Sequence, residues 1–504
     1  MDVLNSLLYG FQTALSFQNV YLCFIGCLWG TMVGVLPGIG PLIGITLLIP
    51  ATFSLDATGA IIMLAGIYYG AMYGGSTTSI LMNIPGESAS VVTCIDGYQM
   101  TLKGRGGAAL FISAWGSWIG GTLSIIGLMF FAPMLAGLAT KFGPSEMFAI
   151  LLMTFVLLGS LGKASFFKTI PMVCLGMFLG TIGLDAMTGE YRFTHGTVKL
   201  AGGLDFVSAA MGALGIGEVL TAAGTGLVRI VHRVKIRELL PSRKEFNASW
   251  GPIFRGTGLG FIIGLLPGSA HVLSSFMSYM LEKRLAKKPE EFGTGRIEGV
   301  AGPETANNAG STSAMIPFLS LGIPTGPAPA VMMIALLIHG IRPGPLLMTE
   351  QPGVFWGLVA SMYIGNVILV VLNLPLVGLF VNMLRVPFRI LFPIILLICL
   401  VGTYSMQGST FDLWVLLGFG ALGYVFRKLD FDIAPLVLAM VLGNSTELEF
   451  RRTMMLSAGS LSIFYKSPIT CVLVSISLLL FIWNIYRALR PKKATWEKAL
   501  EENE

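Results

Sequence analysis

The sequence is poor in charge and in the residue patterns that catalysis usually needs. Only 12% of its 504 residues are Asp, Glu, Lys or Arg, and no Lys or Arg occurs before Lys103. The four histidines, His195, His232, His271 and His339, are scattered, with no HExxH pair and no nucleophile elbow. That removes the usual metalloprotease and serine-hydrolase arrangements. Six cysteines stand singly in apolar runs, Cys23 and Cys27 one helical turn apart. Without a CxxC pair or Cys/His spacing, neither bound zinc nor a disulfide framework is expected. The nearest approach to a P-loop, Gly159-Ser160-Leu161-Gly162-Lys163-Ala164, lacks the spacing and the hydroxyl, so ATP hydrolysis has no support. The first residues carry no basic n-region and no small-residue cleavage site, so a removable signal peptide is not expected. Neither an enzyme nor a resident cofactor is expected.

What is present is apolar. Hydrophobic residues make up 54% of the chain, and runs near the roughly 20 residues that span a bilayer recur, for example within 108–139, 147–161, 353–381, 388–404 and 461–486. Barrel-type alternation is absent, so the spans are helices. The expectation is an all-α polytopic protein crossing the bilayer ten to twelve times. Basic residues cluster in 229–244 (Arg229, Arg233, Lys235, Arg237, Arg243, Lys244) and near the end (Arg487, Arg490, Lys492, Lys493). The positive-inside rule puts both clusters in the cytoplasm and the N-terminus outside. Short clusters abutting apolar spans do not suit nucleic acid.

Glycine is abundant, with 63 residues, and it is ordered. Gly26, Gly30, Gly34 and Gly38 recur at four-residue steps, as do Gly256, Gly260, Gly264 and Gly268. Such spacing stacks glycines on one helix face, where a neighbouring backbone can approach closely. Each ladder ends in Leu-Pro-Gly, at Pro37-Gly38 and at Pro267-Gly268-Ser269, and a proline there breaks the helix. Matching broken helices in two halves point to a transporter's binding site. The polar seam divides the chain into a first repeat, 1–230, a cytoplasmic linker, 231–250, and a second repeat, 251–504, with extra C-terminal helices. The second half then starts inside and the first outside, which makes the repeats inverted. The charged stretch 282–298 obeys the charge rule only if the chain turns back at Pro267 as a hairpin.

A second matched pair follows. Ser76, Thr77 and Thr78 run on through Asn83 to Pro85-Gly86, and Ser311-Thr312 runs on to Pro324-Thr325-Gly326, the offset growing from 235 to 239 residues. Small hydroxyl residues before a Pro-Gly break read as re-entrant hairpins whose tips meet. Freed N–H groups after the break suit a carboxylate, and hydroxyls or carbonyls before it suit a cation. The plainer alternative is that these small residues only permit close packing. Intramembrane acids are functional by default: Glu87 follows the first break, Glu304 precedes Asn307-Asn308, and Glu218 lies in an apolar run. For Glu87 and Glu304 the alternative is a solvated loop mouth. Asp96 reads as structural.

These segments resemble the large membrane subunit of the tripartite tricarboxylate transporters, the TctA family. The resemblance rests on GVLPGIGP (34–41), YGGSTTSILMNIPGE (73–87), GLDAMTGEYRFTHG (183–196), GLLPGS (264–269), GPETANNAGSTSAMIPFLSLGIPTGPAPA (302–330) and HGIRPGPLL (339–347). His195 stands where the family pattern leads one to expect phenylalanine. The resemblance implies a bacterial inner-membrane permease with two partners, a periplasmic tricarboxylate-binding protein and a small membrane subunit. It further implies import of citrate-like carboxylates driven by Na+ or H+. A standalone carboxylate symporter and a passive anion channel are the rival readings.

Overall fold

The computed structural model describes residues 3–489 except 37–39, 84, 140–141, 162–165, 186, 218–219, 222–237, 267–269, 384–392, 395, 398, 402 and 405–407. Pro37, Gly38, Glu218, Pro267, Gly268, Ser269 and the first part of the linker therefore lie outside the described residues. The helices in chain order are α1 (Val3–Ala14), α2 (Phe17–Val35), α3 (Gly40–Thr52), α4 (Ala57–Met82), α5 (Val91–Leu102), α6 (Gly106–Ala139), α7 (Pro144–Leu161) and α8 (Phe166–Gly180). A two-residue hairpin follows, β1 (Gly183–Leu184) with β2 (Tyr191–Arg192), antiparallel. Next come α9 (Phe206–Ala210), α10 (Arg243–Gly264), α11 (Ala270–Leu285), α12 (Glu298–Ser313), α13 (Met315–Leu321) and α14 (Pro327–Ile338). The last are α15 (Pro352–Asn373), α16 (Val377–Met383), α17 (Thr410–Lys428), α18 (Ala434–Leu456) and α19 (Pro468–Leu489). Six of them are long and apolar enough to cross a membrane: α2, α4, α6, α15, α17 and α19. Four shorter apolar helices lie within α3, α7, α8 and α14. The protein is an all-α polytopic membrane protein.

The chain packs as two units, each drawn from two separate stretches of the sequence. One comprises Met1–Lys141 with Leu204–Lys428, the other Phe142–Gly203 with Leu429–Glu504. In the smaller unit Gly176 of α8 lies against the Leu436 main chain of α18. Its β hairpin is fastened to α18 by two ion pairs, Asp185 with Arg451 at 2.8 Å and Arg192 with Glu447 at 2.7 Å, while Arg451 and Glu447 pair with each other along α18 at 2.6 Å. Glu146, at the start of α7, accepts from Ser467 (2.5 Å) and Thr470 (2.8 Å) beside α19.

In the larger unit the two glycine ladders do the same work. A Cβ on Gly26, Gly30 or Gly34 of α2 would fall closer than 3.0 Å to the main chain of Met63, Ile67 or Ala71 of α4. A Cβ on Gly256, Gly260 or Gly264 of α10 would strike Gly302, Ala306 or Gly310 of α12 in the same way. The three α12 contacts lie 239 residues beyond their α4 counterparts. The caps keep that spacing: Asn83 ends α4 and Gly322 ends α13, both left-handed (φ 58° and 69°), and Pro85 and Pro324 follow. Asparagine and glycine are the residues that tolerate this conformation at a helix end.

This register corrects the sequence reading twice. The spacing is 239 on both sides of the hydroxyl runs, so the expected one-turn insertion is absent and the runs sit one turn apart on equivalent helices. Nor are Ser76, Thr77, Thr78, Ser311 and Thr312 hairpin tips. They are buried within α4 and α12. The helix tolerates them because hydroxyls bond carbonyls a turn back: Ser76 to Met72 (3.3 Å), Ser79 to Gly75 (2.9 Å) and Ser311 to Asn307 (2.8 Å). The breaks come later, at 83–90 and 322–326. α10 and α11 do form a hairpin, joined by Arg255 to Glu282 through two bonds of 2.8 and 2.6 Å.

Candidate functional site

α12 reads EGVAGPETANNAGSTS, almost without large apolar side chains, yet every residue from Gly299 to Ser313 is buried. A polar helix in such a place needs partners for its side chains, since an unpaired buried polar group is costly. Small residues let α6, α10 and α11 close around it, and the polar ones reach across to the first half of the chain.

Glu304 is 1% exposed. Its carboxylate accepts from the hydroxyls of Ser76 on α4, Thr93 on α5 and Ser113 on α6, the last at 3.1 Å. Its carbonyl accepts from Ser117 of α6 (3.4 Å), and Asn308 donates to the Ser117 hydroxyl at 2.7 Å. One turn along, Asn307 donates to Glu87 Oε1 at 3.0 Å. Thus an acid from each half is held by residues of the other.

The first break is shaped to present Glu87 inward, at 8% exposure. Ser90 ties the turn, donating to the Glu87 carbonyl (2.8 Å) and accepting from its N–H (3.3 Å). A Cβ on Gly86 would strike the Gly34 carbonyl and Gly75 Cα, so only glycine lets the turn lie this close to α2 and α4. Burial of both acids overturns the solvated-loop alternative. The N–H groups at the start of α5 were expected to receive a substrate carboxylate. Just before the helix the Ala89 N–H donates to Glu87's own carboxylate at 2.7 Å, because the acid sits two residues before it and curls back.

The cluster is built from oxygen and amide groups. Among the described residues neither acid has a Lys, Arg or His partner, and Asn307 Oδ1 is buried with no hydrogen bond. No cluster of three or more His, Cys, Asp or Glu residues placed to hold a metal ion lies among the described residues. Carboxylate, hydroxyl and amide oxygens suit a hard monovalent cation or a proton. An ionised acid buried without a counter-charge is strongly disfavoured, so this arrangement favours taking one up.

The other candidates divide. Thr78 bonds the Gly75 carbonyl at 3.1 Å, and the hydroxyls of Thr77 and Thr312, both buried, make no hydrogen bond among the described residues. Asn83 is an exposed helix cap, and Pro85 belongs to the break. At the second break Thr325 donates to the Ala314 carbonyl (3.4 Å) and Gly326 starts α14. Among the described residues, no hydrogen bond joins Pro324, Thr325 or Gly326 to the two acids. Thr93, Ser90, Ser113 and Ser117 were missed; the four-residue spacing of the last two in an apolar helix was the available signal. Asp96 is structural, as expected: it accepts from Tyr279 (2.9 Å) and from the N–H groups of Gly293 (3.0 Å), Gly295 (2.7 Å) and Arg296 (2.8 Å).

The sequence profile of the tripartite tricarboxylate transporter TctA family matches residues 20–438. The chain belongs to the TctA family. This TctA-family chain is 46% identical over 493 residues, 98% of each chain, to an uncharacterised 52.8 kDa protein in the TAR-I ttuC′ 3′ region of Agrobacterium vitis. It is 47% identical over 234 residues to an uncharacterised protein in the TAR-II ttuC′ 3′ region of the same organism, covering 46% of this chain and 97% of that one. No solved structure matches it. Membership makes the protein a multi-pass membrane component of a transport system, and the buried acid cluster lies within the matched residues.

Proposed function

We propose that the protein is the permease of a tripartite importer of citrate-like carboxylates and that Glu87, Glu304, Asn307, Ser76 and Thr93 form its coupling-ion site. The observation that carries the reading is the pair of buried acids, one from each half, with no described counter-cation. Na+ or H+ fits the oxygen donors. Energetics favours coupling: each charge crossing 100 mV is worth about 2.3 kcal/mol, so a trianion entering a negative interior meets about 7 kcal/mol. Three co-imported monovalent cations cancel that opposition. The equal register of the two helix pairs supports two repeats, and the charge pattern supports their inversion, with the N-terminus periplasmic, the C-terminus cytoplasmic and the membrane the bacterial inner one. A periplasmic binding protein delivers the carboxylate, and a small membrane subunit completes the complex.

The test is uptake of a labelled carboxylate panel into proteoliposomes, with and without the binding protein, under imposed Na+ or H+ gradients. Uptake that needs the binding protein and one of the gradients supports the reading. Gradient-independent uptake makes the protein a channel and refutes it.

A further inference from the structure

The N-terminal end of α10, the C-terminal end of α11 and the segment that follows α11 line a pocket of about 500 Å³, distinct from the acid cluster. Five basic side chains line it, Lys244, Arg255, Lys287, Lys288 and Arg296, against three acids, Glu282, Glu291 and Glu298. Ion pairs account for three of the five: Arg255 with Glu282 (2.6 Å), Lys288 with Glu291 (3.0 Å), and Arg296 with Glu291 (2.7 Å) and Glu298 (2.5 Å). Lys244 and Lys287 are exposed and form no ion pair among the described residues. Two cations, Lys244 on α10 and Lys287 just after α11, thus remain at one pocket with no described carboxylate paired to them.

We propose that this pocket binds the phosphate group of an anionic membrane lipid. The charge suits any phosphate; the surroundings select the lipid. Leu285 lines the pocket and is 57% exposed, and Phe254, Ile262 and Met280 on the same hairpin are 55%, 67% and 62% exposed. A phosphate seated between Lys244 and Lys287 therefore has an apolar surface beside it for acyl chains, which a free ion would not use. Basic pockets between membrane helices are suited to such headgroups, and by the charge rule this end faces the cytoplasmic leaflet.

Native mass spectrometry of the purified full-length protein tests the assignment with phosphatidylglycerol, phosphatidylcholine and inorganic phosphate as separate probes. The double variant Lys244→Ala/Lys287→Ala is expected to lose phosphatidylglycerol binding roughly tenfold or more, at about 1 kcal/mol per lysine. Lys283→Ala/Arg284→Ala, on the same helix end but outside the pocket, should retain it, and Lys244→Arg/Lys287→Arg should restore it. Both lysines are exposed, so folding is not at risk, and a melting curve checks this. Equal retention of phosphatidylcholine, equal loss in the control variant, or inorganic phosphate binding as tightly as the lipid would each overturn the proposal.

Discussion

Replacing Glu304 by Gln isolates the charge of the proposed ion site from its shape. Gln has nearly the same volume, and the hydroxyls of Ser76, Thr93 and Ser113 can rotate to donate to or accept from an amide. Stability should therefore change by no more than about 2 kcal/mol, the scale of one or two rearranged hydrogen bonds. Ion binding should suffer more. At about 4 Å and an effective dielectric near 20, a unit charge attracts a monovalent cation by about 4 kcal/mol, so losing it should weaken the apparent ion affinity roughly a thousandfold. The assay is the initial rate of carboxylate uptake into proteoliposomes against ion concentration, beside a melting curve on the same preparation. A well-folded Glu304→Gln protein with wild-type ion dependence would refute the site. Glu87→Gln should show the same separation of folding from ion dependence.

On α10, Gly260→Leu should abolish transport or folding through overlap with the Ala306 main chain, costing about 3 kcal/mol or more. Gly258→Leu, two residues away with open space at its Cβ, should melt and transport like the parent; equal behaviour of the two would show the ladder to be decorative. In the smaller unit the Met187 N–H, then Arg451, the Thr188 N–H and Arg192, hold the Asp185 carboxyl at about 2 against an ordinary 3.8, partial burial opposing. A depressed folded-state value means the hairpin is fastened above about pH 4 and released as pH falls toward about 2. Hydrogen-exchange protection of the hairpin, corrected for the intrinsic pH dependence of exchange, should fall between about pH 4 and pH 2, and Asp185→Asn should remove that dependence. Cysteine labelling of intact cells with an impermeant reagent should mark Asn5→Cys and not Ser242→Cys; the reverse pattern would refute the inverted repeats.

Much of the fold was legible because glycine spacing carries a contact within it. Gly26, Gly30 and Gly34 cannot be read without supposing a close neighbour, and the two ladders named each other. The acids were legible for a related reason, since Glu87 and Glu304 in apolar surroundings require an account. The hydroxyl runs were misread as loops because their polarity was weighed and their ability to bond a carbonyl one turn back was not. Thr93 was illegible because a helix hydroxyl usually satisfies itself, and the four-residue spacing of Ser113 and Ser117 marked a polar face without naming its partner. Only the crossing of α12 past α5 and α6 turns these three toward Glu304, and the sequence around them holds no trace of that crossing. The bond from the Ala89 N–H to Glu87 likewise depends on how the turn curls.

Thr93 and Asp96 stand three residues apart on α5 and hold α12 at two places. Thr93 grips Glu304 within the helix, while Asp96 grips the Gly293–Arg296 backbone that leads into it. Two separated fastenings resist rotation where one would act as a pivot, so α5 and α12 are held in a fixed mutual orientation. The chain on either side is less tightly held: left-handed Gly104 follows α5 (φ 71°) with open space at its Cβ position. On the proposed reading of Glu304 as an ion ligand, whatever shifts its carboxylate bears on α5, and through Asp96 on the 293–296 backbone as well.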